Sequence, residues 1–318
     1  MRLRLTSAVV MAASLWAAHP SAQRWTARPV DLQGFWTNGT ATPLQRPKEF
    51  AAKPFLSEAE AAEFEQTGIA RLTAVLKSLS EVDVTTAADL NDIYLETNTL
   101  KLVDGRRTSL IVDPPNGELP PLVPAAKTRA AAARRPSYDD PEERSLDERC
   151  LLATAFGSSN SAPPMVPNPF ASNYYQIVQT PRYVMILTEL VHDARIIRIG
   201  GSHLPANVHK WLGDSIGRWE GETLVVDTTN FNSHSRFRGA TERLHVVERF
   251  RRENATTIQY RVTVEDPDTW TTPWTADIPL KATDKPILEY ACHEANYSME
   301  NSLRGMRAQE REDAARKK

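Results

Sequence analysis

Cysteine is scarce in this chain. Its 318 residues include two, Cys150 and Cys292, with no CxxC spacing. A redox or metal site built on paired thiols is therefore not expected. Charge of one sign is also missing. Lys and Arg number 38 against 40 Asp and Glu, a net charge of −2, so no basic surplus exists to collect nucleic-acid phosphates. Long apolar runs are absent beyond residue 18, and no transmembrane helix is expected. Compact reaction motifs are lacking too. There is no G-x-S-x-G elbow, no glycine-rich dinucleotide loop or P-loop after a strand, and no H-E-x-x-H. The letters Gly213-Asp214-Ser215 occur in some serine esterases, but there they sit near the N-terminus of an α/β fold. Here Asp214 to Gly217 reads as a turn. No cofactor is expected, and no metal.

The two ends are more informative. Arg2 and Arg4 precede an apolar stretch, Leu5 to Ala18, and small residues at Ser21 and Ala22. That stretch is shorter than the roughly 20 residues needed to span a bilayer. Basic, then apolar, then small is the order of a secretory signal, which places the mature chain in the periplasm or outside the cell. In such an oxidising compartment Cys150 and Cys292 read as one structural disulfide. Two buried thiols, or one reactive thiol, remain as alternatives.

Hydrophobic residues make up 41% of the chain, enough for a core, and 22 prolines favour loops and edge strands over long helices. Asp31 to Thr37 has a short strand pattern. Ser57 and Glu60 form a capping box ahead of a helix expected over 58–79. Arg107 to Val112 reads as a strand closed by the turn Asp113-Pro114-Pro115-Asn116-Gly117. A short exposed helix is expected over 125–135 and a long loop over 136–171. From Tyr174 onward, β-branched runs recur with turn residues between them: 175–180, 183–190, 194–199, 222–230, 244–251, 256–265 and 274–280. This is a mostly β pattern, an antiparallel meander closed as a lipocalin-like barrel or folded as a sandwich. Gly34-Phe35-Trp36 fits the G-x-W start of a first lipocalin strand. The expected organisation is a signal peptide over 1–22, then a strand, helix and Pro-rich loops over 23–171 packing on the barrel. An antiparallel β domain over 172–298 and an exposed helical tail over 299–318 follow.

Strand alternation exposes polar groups on apolar faces. Glu248 shares a side with Leu244, Val246 and Phe250; Arg195 shares one with Ile197 and Ile199. Buried charges are costly unless paired. Arg195 and Glu248 therefore either bridge each other or hold a polar ligand group, together with Tyr260 and Trp219, in a cavity. His192 beside Asp193, and His245, are the candidates for acid–base chemistry near neutral pH. The other histidines lie far apart in sequence.

Several longer stretches carry a resemblance. They are Trp211 to Phe231 (containing GDSIGRWEGETLVVDTTNF), Leu244 to Phe250 (LHVVERF) and Tyr290 to Tyr297 (YACHEANY). Arg107 to Pro115 and Asp31 to Trp36 complete the set. Together the chain resembles a large family of exported bacterial β-rich proteins. The resemblance implies export and a shared β-rich fold, and carries over no catalytic residues. Three functions remain open. One is binding of a small organic molecule in a barrel. Another is a secreted lyase or hydrolase acting on a sugar or aromatic compound through a His/carboxylate pair. The last is an envelope structural or interaction protein. A small molecule is the expected partner, and the sequence leaves the oligomeric state unspecified.

Overall fold

Strands form where β-branched residues alternate with polar ones. The computed structural model describes residues 30–68, 101–132, 138–152, 163–168, 173–234, 237–294 and 296–316. The expected signal peptide and the second half of the helix expected over 58–79 lie outside these. Among the described residues there are ten strands: β1 (Gly34–Thr37), β2 (Ile111–Asp113), β3 (Tyr174–Gln179), β4 (Tyr183–Thr188), β5 (Ala194–Ile199), β6 (Asp214–Glu220), β7 (Thr223–Thr229), β8 (His245–Asn254), β9 (Thr257–Glu265) and β10 (Trp274–Ala282).

Neighbouring strands pair in the order β1, then β3 through β10, and β10 pairs back with β1 through Trp36 and Ala282. This closes a nine-stranded barrel and decides against the sandwich. β2 takes the remaining stretch of β10's free edge, at Thr275 and Ala276. The barrel thus depends on residues 34–37 as well as on the C-terminal half.

A closed ring of nine strands cannot be antiparallel throughout, because direction must reverse an even number of times around it. The odd junction is β5–β6, which pair in parallel at Arg198 with Ile216 and Ile199 with Gly217. The intervening segment 200–213 carries the chain back to the end where β5 began. Asp214 to Gly217, expected as a turn, is the start of β6. Gly213 makes the sharp entry. Its φ is +71°, and a Cβ there would sit 2.6 Å from Thr228 Cγ2 and 2.9 Å from the Thr229 carbonyl oxygen.

β9 alternates between the two faces of the sheet. Ile258, Tyr260, Val262 and Val264 are fully buried, while Gln259, Arg261, Thr263 and Glu265 face outward. Trp36, Trp274, Tyr175, Tyr260 and Phe250 are the largest barrel side chains in the core. Among the described residues, three α-helices flank the barrel: α1, described over 58–68, α2 (Pro124–Ala132) and α3 (Ser298–Arg316). The expected capping box opens α1. Ser57 N donates to Glu60 Oε2 at 2.8 Å, and Glu60 N donates to Ser57 Oγ at 3.3 Å. Cys150 and Cys292 are joined by a disulfide, tying the segment 138–152 to the segment that leads into α3. α3 has no buried residue, and its Arg307 reaches Asp139. Among the described residues, no helix is long and apolar enough to cross a membrane.

Candidate functional site

β5 turns Arg195, Ile197 and Ile199 inward, and β8 turns Val246, Glu248 and Phe250 inward. Arg195 and Glu248 meet inside the barrel as a doubly hydrogen-bonded pair. Nη1 faces Oε2, and Nη2 donates to Oε1 at 2.9 Å. They are 4% and 0% exposed, so each charge is desolvated and neutralised by the other. The Tyr260 hydroxyl donates to Glu248 Oε1 at 2.9 Å. Burial, with the Glu248 charge adding to it, pushes the Tyr260 hydroxyl well above its ordinary pKa. Burial works against the Arg195 charge, but Glu248 outweighs it and raises the guanidinium.

A segment from outside the strands completes this cluster. Met165 N donates to the Tyr260 hydroxyl at 3.0 Å, and Asn38 Nδ2 donates to the Met165 carbonyl at 2.9 Å. Asn38 Nδ2 also reaches the Tyr175 hydroxyl at 3.2 Å, and Arg195 Nη2 lies 3.8 Å from Met165 Sδ. Met165 and Val166 are 2% exposed and belong to the hydrophobic core. The segment 163–168 therefore plugs the barrel from within. Asn38 Oδ1 is buried here without a hydrogen-bond partner among the described residues.

A second cluster lies on the outer wall. Asp227 on β7 and His245 on β8 point away from the core, beside the 200–213 segment. Asp227 Oδ1 faces His203 Nε2 at 2.9 Å, and Asp227 Oδ2 faces His245 Nε2 at 3.1 Å. His203 Nδ1 continues to Asp214 Oδ2 at 3.2 Å, and His245 Nδ1 faces Glu265 at 3.8 Å. Asp214 is fully buried and also receives Arg198, Lys210 and the Leu204 backbone N–H. Burial raises its pKa, but these donors, Arg198 first, outweigh it and hold the carboxyl far below the usual range. The hydrogen bond from His245 lowers Asp227, and the same bond raises His245.

The histidines singled out from sequence part company. His245 belongs to the outer cluster. His192 sits on a 3₁₀ turn at φ 49°, exposed, with Nδ1 3.2 Å from the Tyr290 carbonyl. Asp193, next to it, accepts the Thr188 N–H on its backbone carbonyl. Trp219 is half-buried against the core opposite Leu224. Ser215 points inward, 2.9 Å from Thr228 Oγ1, and is no exposed nucleophile. Alternation alone did not reveal Asn38, Tyr175, His203, Asp214 and Asp227 as site residues. Asp227 was within reach of that method, since it alternates outward between the inward Val226 and Thr228.

No family model matches the chain, and no curated protein matches it. Among solved structures it is similar to a variant of the fluorescent protein UnaG, at 12% identity over 35% of this chain and 72% of that chain, with a TM-score of 0.22. A likeness this slight does not bear on the site.

Proposed function

We propose that this is an exported protein that binds a small organic molecule inside its β-barrel. One observation carries the reading. The barrel core holds polar side-chain atoms, Asn38 Oδ1 and the Trp274 indole nitrogen, that are buried without a hydrogen-bond partner among the described residues. Leaving such a group unpaired costs about 1–3 kcal/mol, and native interiors rarely tolerate it. A bound molecule, taking the place of Met165 over Asn38 and Tyr260, would supply the missing partner. The Arg195–Glu248 pair is then the rigid polar floor of the site rather than a free anchor, since each charge is already used by the other. Export is supported by the basic-then-apolar N-terminus and by the closed disulfide. The test is native mass spectrometry of the chain purified from an exporting bacterial host. A mass excess of small-molecule size, lost on denaturation, is expected. Equal native and denatured masses, with no saturable binding of an uncharged flat fluorophore, would contradict the reading.

The Asp227–His245 pair supports a second reading, a lyase or hydrolase using a carboxylate-backed imidazole. It ranks behind the first because both His245 nitrogens face carboxylates, Asp227 and Glu265. Only Nδ1, 3.8 Å from Glu265 and beyond hydrogen-bond distance, is left to meet a substrate.

A further inference from the structure

Between β7 and β8 the chain folds over one end of the barrel and places Phe231, Phe237, Ala240 and Leu244 in the core. Within this segment Arg238 has a backbone conformation that L side chains rarely adopt, φ 50° and ψ 35°. Its Nε is buried and has no acceptor among the described residues. Burial alone shifts the Arg238 guanidinium, downward, with no carboxylate to offset it. Arg238 is half-buried, with its Nε inside; the fully buried charges described above have partners, Arg195 with Glu248 and Asp214 with Arg198 and Lys210. The nearby buried acid, Asp266, is already engaged by the Thr241 backbone and hydroxyl, the Thr269 hydroxyl and the Asp268 N–H.

A second, independent donor lies beside the same ring. The Arg238 guanidinium is 5.9 Å from the Phe237 ring centre, and the Trp274 ring is 6.2 Å from it on centres. Trp274 is fully buried, and its Nε1 also lacks an acceptor. Trp270 stands edge-on to Trp274 at 6.0 Å. The Arg238 Nε and the Trp274 indole N–H, both buried without acceptors among the described residues, therefore flank one aromatic cluster. An oxyanion satisfies the first, a further acceptor oxygen the second, and a flat apolar body suits the rings between them.

We propose that Arg238, Trp274 and Phe237 form the anion-recognising end of the ligand site, so that the ligand is a flat organic oxyanion, a carboxylate or sulfonate. This rests on the small-molecule reading above and narrows its ligand class. Arg238 binds the charged oxygens, Trp274 donates to a second acceptor, and Phe237 and Trp270 cover the apolar face.

The test is equilibrium fluorescence titration of the full mature chain with two probes. Anilinonaphthalene sulfonate carries a flat ring system and an oxyanion; phenylnaphthylamine has the rings without the charge. The sulfonate is expected to bind more tightly. Arg238→Met is expected to weaken it by about tenfold or more, the value of a charge-assisted hydrogen bond, and to leave the neutral amine within about twofold. Trp274→Phe keeps the ring and is expected to weaken the sulfonate by a smaller factor. The melting temperature of Arg238→Met is expected to stay level or rise, since the variant removes a donor nitrogen buried without an acceptor among the described residues. Equal binding of both probes, unaffected by Arg238→Met, overturns the anion site and leaves barrel binding standing. Binding of neither probe overturns both. A lowered melting temperature with loss of both probes makes Arg238 a structural residue and overturns the proposal.

Discussion

Arg195 and Glu248 neutralise each other inside the barrel, each the other's only opposite charge among the contacts described. Period-two alternation places each on an apolar face, and a charge on such a face needs a partner. Which partner it finds depends on how the barrel closes, and alternation along one strand holds no such information. Asn38 was less accessible still, because it lies just after β1 and reaches Met165 across 127 residues of sequence. The pair makes a sharp prediction. Arg195→Met strands the Glu248 charge at zero exposure and is expected to cost about 3–5 kcal/mol in urea denaturation. Adding Glu248→Gln removes the stranded charge and is expected to recover part of that loss. A double variant as unstable as the sum of its single variants would show that the two residues act independently.

Among elements, the strands rich in β-branched residues were readable and β6 was not. Its Asp214, Ser215 and Gly217, after Gly213, have turn chemistry, and only pairing with β5 and β7 makes them a strand. Gly217 is needed inside the sheet, since a Cβ there would lie 2.9 Å from both Ile197 and Ile199. The segment leading into β6 is held to the wall by His203, between Asp214 and Asp227, with His245 on the far side of Asp227. This gives the clamp a pH dependence through His245. Its pKa is raised in the fold, so the stabilisation is fully present below the unfolded value of about 6.5 and is lost as pH rises through the folded value. The stability difference between wild type and His245→Gln, from urea midpoints across a pH series, is expected to shrink as pH rises above neutrality. A difference constant with pH would contradict this.

For the molecule as a whole, the mostly β class and the disulfide followed from composition, compartment and periodicity. The closed barrel was one of two alternatives, beside the sandwich, and periodicity could not choose between them, because closure requires the short β1 to bridge β3 and β10 across more than a hundred residues of intervening chain. The disulfide lies outside that ring, stapling the 138–152 segment to the approach of α3, so the barrel core rests on its own packing. That core combines full closure with polar atoms buried without a partner among the described residues, which a small molecule would complete. The most direct measurement is two-dimensional NMR of the indole N–H signals during titration with the flat aryl sulfonate, with the Trp274 signal assigned by Trp274→Phe. The account predicts that the Trp274 signal moves and saturates, as its unpaired N–H gains an acceptor. Movement confined to the exposed Trp211, with Trp274 unchanged at saturation, would place binding on the surface and contradict the account.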